Sequence, residues 1–214
     1  MATTPARVVV FLDYQNVYMG ARSCFHSRMS PHFEGQINPL HLGEHLAADS
    51  PYDRELKEAR VYRGLPDGAL DPRGHSAASR QIDIWRQNDK VQVFPRPLSY
   101  PSGWPDRSRP GEKPREKGID VTLAIHFAML AVQDYYDVGI LMSTDTDLKP
   151  ALEAVIDIAG GRQFPRAEVA AWSGENMRNR RLALTGESVW CHWLDKVAYD
   201  QVSDHTDYSD SAWP

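Results

Sequence analysis

Residues 136–150 read YDVGILMSTDTDLKP. Five apolar residues run unbroken from Val138 to Met142 and end against a polar loop carrying two acids, Asp145 and Asp147. A continuous run rich in Val, Ile and Leu is how a strand buried on both faces of a parallel sheet reads. The same arrangement recurs in residues 8–13, VVVFLD, where Asp13 closes the run. Shorter runs stand at 59–62 (ARVY), 91–94 (VQVF) and 169–172 (VAAW), and every gap is long enough for a crossover helix. The pattern predicts an α/β protein of alternating βαβ layout with a five-stranded, mainly parallel sheet.

Helical patterns fall in the gaps, over residues 39–48, 76–87, 118–133, 148–159 and 175–184. The fourth stops at Gly160-Gly161. The stretch 95–114 is too rich in proline for either regular element and reads as a long surface loop of the kind that binds something. With 214 residues, one large domain over 1–195 is expected, followed by an acidic, flexible C-terminal tail over 196–214.

The net charge of −5 is unevenly spread, because the last twenty residues hold five Asp against one Lys. Residues 106–117, DRSRPGEKPREK, carry five basic side chains, and 178–181 add three Arg. Local basic surface for nucleic acid is therefore present despite the overall sign. Cys24 and Cys191 allow one bridge at most and no leader is evident, so a reducing cytoplasm is the expected compartment. No apolar run is long enough for a membrane span.

In an open α/β sheet, ligands bind beyond the carboxyl ends of the strands, where strand order reverses. Asp13, Asp145 and Asp147 would all stand there if the first and fourth strands are neighbours. Asp120 opens the third helix, whose Leu123, Ala124, Phe127 and Leu130 give it an inward face. Four acids so placed repel and raise one another's pKa unless a cation offsets them, and hard oxygen donors suit Mg²⁺ or Mn²⁺. Each acid also has a plainer role open to it: Asp13 as a turn former or helix cap, Asp147 as a cap before Leu148, Asp120 as a complement to the helix dipole.

Residues 9–16 (VVFLDYQN), 117–124 (KGIDVTLA) and 136–150 closely resemble the three signature segments of the NYN domain, a branch of the PIN-like nuclease superfamily. The resemblance spans about residues 7–195 and implies a PIN-like three-layer sandwich, a Mg²⁺ or Mn²⁺ site and hydrolysis of RNA phosphodiester bonds. It implies Asp13, Asp120 and Asp145 as metal ligands, Asp147 as the accessory acid and Asn16 as the polar residue of the first motif. Residues 143–147, STDTD, replace the family's frequent SGDSD, and His126 stands where many members carry Asp. Six residues along a helix turn His126 about 120° from Asp120, so the two do not share a face.

On this reading Asp13, Asn16, Asp120, Asp145 and Asp147 form the catalytic set, with Ser143 and Thr144 donating hydrogen bonds to the site as RNA-binding residues. Arg107, Arg109, Lys113, Arg115 and Lys117 would hold single-stranded or looped RNA, helped by Arg63 and Arg178, with Tyr100 and Trp104 stacking on bases. Endonucleolytic cleavage is the expected activity. PIN-like domains often pair, which leaves a homodimer open. The alternative is a module of the same fold that binds RNA or protein without cutting. A haloacid dehalogenase phosphatase needs an Asp where Gln15 stands, and no Gly-rich phosphate loop opens a helix.

Overall fold

The computed structural model describes residues 4–105, 111–174 and 180–210. The chain runs β1 (Ala6–Asp13), α1 (Tyr14–Phe25), α2 (Pro39–Ala48), β2 (Arg54–Leu65), α3 (Pro72–Trp85), β3 (Val91–Pro97), α4 (Ile119–Val132), β4 (Val138–Met142), a 3-10 turn (Thr146–Leu148), α5 (Lys149–Ala159), β5 (Arg166–Trp172), β6 (Trp190–Leu194) and α6 (Lys196–Val202). The strands form one sheet in the order β3-β2-β1-β4-β5-β6, and every pairing is parallel.

The apolar runs become strands because both faces are covered. Val8, Val10 and Leu12 pack toward α1, α2, α6 and the Ile82–Trp85 end of α3. Val9 and Phe11 pack toward α4 and α5. The result is a three-layer sandwich in which each fully buried aliphatic or aromatic side chain contributes about 1.5–3 kcal/mol. Register sets Val8–Leu12 beside Val138–Met142 and Asp13 beside Tyr62 of β2. α2 keeps the expected bounds, with Asn38 capping Leu40 N–H and Pro39 in the first turn. α5 ends at Gly160, whose positive φ of 55° makes the left-handed stop.

Four expectations need correction. The sheet has six strands, β6 being an edge strand added to β5. α1 forms where no helix was expected. No helix occupies Arg180 to Leu184, the described part of the 175–184 segment, whose residues 175–179 lie outside the described residues. The acidic C-terminal segment is folded rather than loose over its described length. Asp195 caps α6 at Ala198 N–H (2.9 Å), Ser203 bridges Ile37, and Tyr208 is buried with its carbonyl accepting from Arg80 Nε at 2.9 Å. Residues 211–214 lie outside the described residues.

Among the described residues, no helix is long and apolar enough to cross a membrane.

Candidate active site at the carboxyl ends of β1 and β4

β1 and β4 are neighbours, and the connections leaving them run to opposite halves of the sheet. This is the switch point that the acids needed. Asp13 ends β1 and caps α1, its Oδ1 accepting from Asn16 N–H at 3.3 Å and its Oδ2 from Ser143 Oγ at 2.8 Å. Ser143 Oγ in turn accepts from Asp145 N–H at 3.1 Å. Asp145, not Asp147, caps the following 3-10 turn, accepting from Asp147 N–H at 2.9 Å. Asn16 ties the two strand ends together, its Oδ1 accepting from Thr144 N–H at 3.0 Å and Thr144 Oγ1 at 3.2 Å.

Asp120 lies in the first turn of α4, which starts after Gly118, a residue with φ of 75° and no side-chain cap. Leu123 and Phe127 are buried and Ala124 and Leu130 pack beside them, so the helix face follows the sequence pattern. The electrostatics link the acids. Burial pushes the Asp13 carboxyl up to about 6; Ser143 and Asn16 oppose this, while the charges of Asp120 and Glu116 add to it. Asp120 is raised by partial burial and then by Asp145 and Asp147.

Glu116 is a fifth acid of the cluster that sequence reasoning missed. Its carboxylate accepts from Gly64 N–H at 2.6 Å; burial raises its pKa, against that hydrogen bond, and Asp120 raises it further. Nothing local signals its place. It reaches the site because Ser99 and Arg115 pair their backbones at 2.8 and 2.9 Å, closing the base of the proline-rich loop. Among the described residues, no three His, Cys, Asp or Glu side chains stand as a preformed cage for a metal ion.

Lys113, Arg115 and Lys117 are exposed on that loop, whereas Arg107, Arg109 and Arg178 lie outside the described residues. Ser143 is 2% exposed and its hydroxyl is taken up by Asp13 and Asp145; Thr144 is exposed. Tyr100 and Trp104 have ring centroids 6.1 Å apart, and the Tyr100 hydroxyl accepts from Asp67 N–H. His126 is spent on packing, its Nδ1 2.9 Å from the Tyr62 hydroxyl and its ring edge-on to Phe94. A cavity of about 370 Å³, bordered by Asn16, Thr144, Trp172 and Arg180, opens beside the acids on the β5 side.

An all-parallel three-layer sandwich with carboxylates gathered at the β1–β4 switch point defines a PIN-like α/β domain. The family model of the NYN domain matches residues 7–157, and the chain belongs to the NYN domain family. None of the curated proteins matches the chain. A solved protein of unknown function from Vibrio parahaemolyticus is similar, with 18% identity and a TM-score of 0.47, the match covering 79% of this chain and 83% of that one.

Proposed function

We propose that this chain is a metal-dependent ribonuclease that hydrolyses RNA phosphodiester bonds endonucleolytically in single-stranded or looped RNA. The observation that carries the reading is that Asp13 and the turn bearing Asp145 and Asp147, tied together by Ser143 and Asn16, stand at the strand switch point of an NYN domain, with Asp120 near enough for Asp145 and Asp147 to raise its pKa. The donors are all carboxylate oxygens with no thiol or imidazole among them, which matches Mg²⁺ or Mn²⁺ retaining part of its water shell. Asp13, Asp120 and Asp145 would hold the ion, with Asp147 at the margin. When bound, such an ion activates water and offsets charge on the phosphoryl and leaving oxygens.

The chain's own residues do the positioning. Ser143 and Asn16 fix the Asp13 carboxylate from two sides, so its rotamer is set before substrate arrives. Asn16 also holds the Thr144 backbone, fixing the turn that carries Asp145 and Asp147. Asp147 is exposed at the rim, where it can orient a water. Lys113, Arg115 and Lys117 supply phosphate contacts on the loop that leads into Asp120, and the proposal extends this strip to Arg107 and Arg109.

The test is incubation of the full chain with a circular single-stranded RNA in Mn²⁺, in Mg²⁺ and in EDTA. Cutting of the circle with either ion, but not in EDTA, is expected. Asp120→Asn and Asp145→Asn should each abolish it while RNA affinity holds or rises. Cleavage persisting in both variants would remove the acids from the reaction. RNA binding without cleavage in either metal favours the non-catalytic module.

A further inference from the structure

On the other side of Asp13 from the 370 Å³ cavity lies a second one of about 310 Å³, between the start of α1, α3 and the C-terminal segment. Its walls include Tyr14, Tyr18, Gln36, Ala77 and Gln81, and it contains Arg63. Arg63 packs against the edge-to-face pair of Tyr14 and Trp85, with its Cζ 4.9 and 5.5 Å from their centroids. Burial there pulls its pKa down.

The hydrogen bonds of Arg63 go to neutral acceptors, and the charge of Glu116 reaches it only from beyond ion-pair distance. Nη1 donates to Gln81 Oε1 at 2.6 Å and Nε to the Gly64 carbonyl at 3.4 Å. Among the described residues, Arg63 makes no ion pair with a carboxylate, in contrast to Arg7, Arg54, Arg60 and Arg166. Gln81 is itself held, its Nε2 donating to Gln36 Oε1 at 2.7 Å and the Tyr14 hydroxyl at 3.0 Å. A desolvated guanidinium kept rigid by amides, with donors to spare on an open cavity, is a receptor for a planar or tetrahedral anion.

The cavity also lies where a substrate strand must pass. Tyr14 and Gln15 directly follow Asp13, and Arg63 directly follows Tyr62, the register partner of Asp13. Strand spacing puts the backbones of Arg63 and Asp13 roughly 6 Å apart. Glu116, whose carboxylate accepts from Gly64 N–H, next to Arg63, is sensed by Asp13 and by Arg63 alike. We propose that this cavity is a nucleotide subsite for single-stranded RNA, in which Arg63 takes the backbone phosphate next to the bond being cut. The identity of the strand rests on the ribonuclease reading; the anion receptor does not. Arg73 at the cavity's rim adds a second positive charge on the same path.

The experiment is fluorescence anisotropy of a labelled ten-nucleotide single-stranded RNA with the full chain in EDTA, so that nothing is cut. Arg63→Met should weaken binding about tenfold or more, the loss expected for a charge-assisted phosphate contact. Ala77→Phe, which fills the cavity from α3 and leaves every charge in place, should weaken it comparably. Uridine monophosphate should compete with the RNA and uridine should not. If Arg63→Met melts far below the wild type, Ala77→Phe alone decides. Wild-type affinity in Ala77→Phe, or in a folded Arg63→Met, overturns the subsite, as does an absence of RNA binding. Cleavage by the wild type in Mn²⁺ is read separately. Cavity-dependent binding without cleavage rejects the ribonuclease and keeps the subsite, and cleavage with unaltered binding does the reverse.

Discussion

Asp13 is 5% exposed and ionises only against its surroundings, near pH 6 rather than at the ordinary 3.8. Because the folded value is the higher one, its contribution to stability is fully present below about pH 3.8 and is lost as the pH rises through 6. At neutral pH and without metal, the native state therefore carries a strained carboxylate, a cost on the order of 1–3 kcal/mol. Asp13→Asn keeps an acceptor for Asn16 N–H and removes the charge. In EDTA at pH 7.5 the variant should unfold at higher urea than the wild type, and at pH 4 the two should converge. A variant less stable at pH 7.5 would mean that its bonds to Ser143 and Asn16 outweigh the charge. Adding Mn²⁺ should raise the wild-type melting temperature by mass action and raise that of Asp13→Asn less. Equal Mn²⁺ responses would take Asp13 out of the ion's reach.

β4 is short and wholly buried, and its one glycine is there for room. A Cβ at Gly139 would lie 2.8 Å from the Tyr136 ring and 2.9 Å from Phe127. Gly139→Ala should cost about 1–3 kcal/mol by overpacking, read as a lower urea midpoint with unchanged slope; no loss would show that the two rings can move aside. β4 and β1 were legible in the sequence because strands covered on both faces need unbroken apolar runs, and their closing acids were legible with them. α1 was not. Its buried Tyr14, Val17 and Ala21 have helical spacing, but Gly20 interrupts the pattern, and Gly20 is a packing residue whose Cβ would meet Trp172 Cδ1 at 2.9 Å. β6 carries exposed Trp190 and Trp193 around a buried Cys191-His192 pair, a pattern with no period of two. Glu116 was hidden for a different reason: a loop closed by Ser99 and Arg115 brings it to Asp13, and it is not written near it in the chain. Arg63 was legible as an RNA contact, but its place beside Asp13 comes only from the pairing of β1 with β2.

At the scale of the whole molecule, the opposite end of the sheet from the acids is held by buried charge. Arg54 from the start of β2 reaches Glu168 of β5 with two bonds of 2.9 and 2.8 Å, and His192 of β6 meets Glu168 at 2.9 Å and Asp49 at 2.9 Å. These groups lie 114, 24 and 143 residues apart in sequence, so only the assembled sheet and its α2 neighbour unite them. Burial alone would raise the Glu168 carboxyl, but the bonds from His192 and Arg54 overcome it and hold the pKa at about 2, below the ordinary 4.5. A depressed folded value stabilises above the unfolded pKa, so this contribution is intact above about pH 4.5 and is lost as the pH falls through 2. Glu168→Gln should act in two ways. At pH 7 it strands the guanidinium of Arg54, 4% exposed, without a counter-charge, at a cost of about 3–5 kcal/mol. Between pH 4.5 and 2 it should flatten the stability profile, because the group whose protonation drives that loss is gone. Urea midpoints of both proteins at pH 7, 4.5 and 2.5 separate the two effects. A variant that is weaker at pH 7 yet falls as steeply as the wild type toward pH 2.5 would place the acid sensitivity in other carboxylates, Asp137 with its bonds to Arg7 being the next in line.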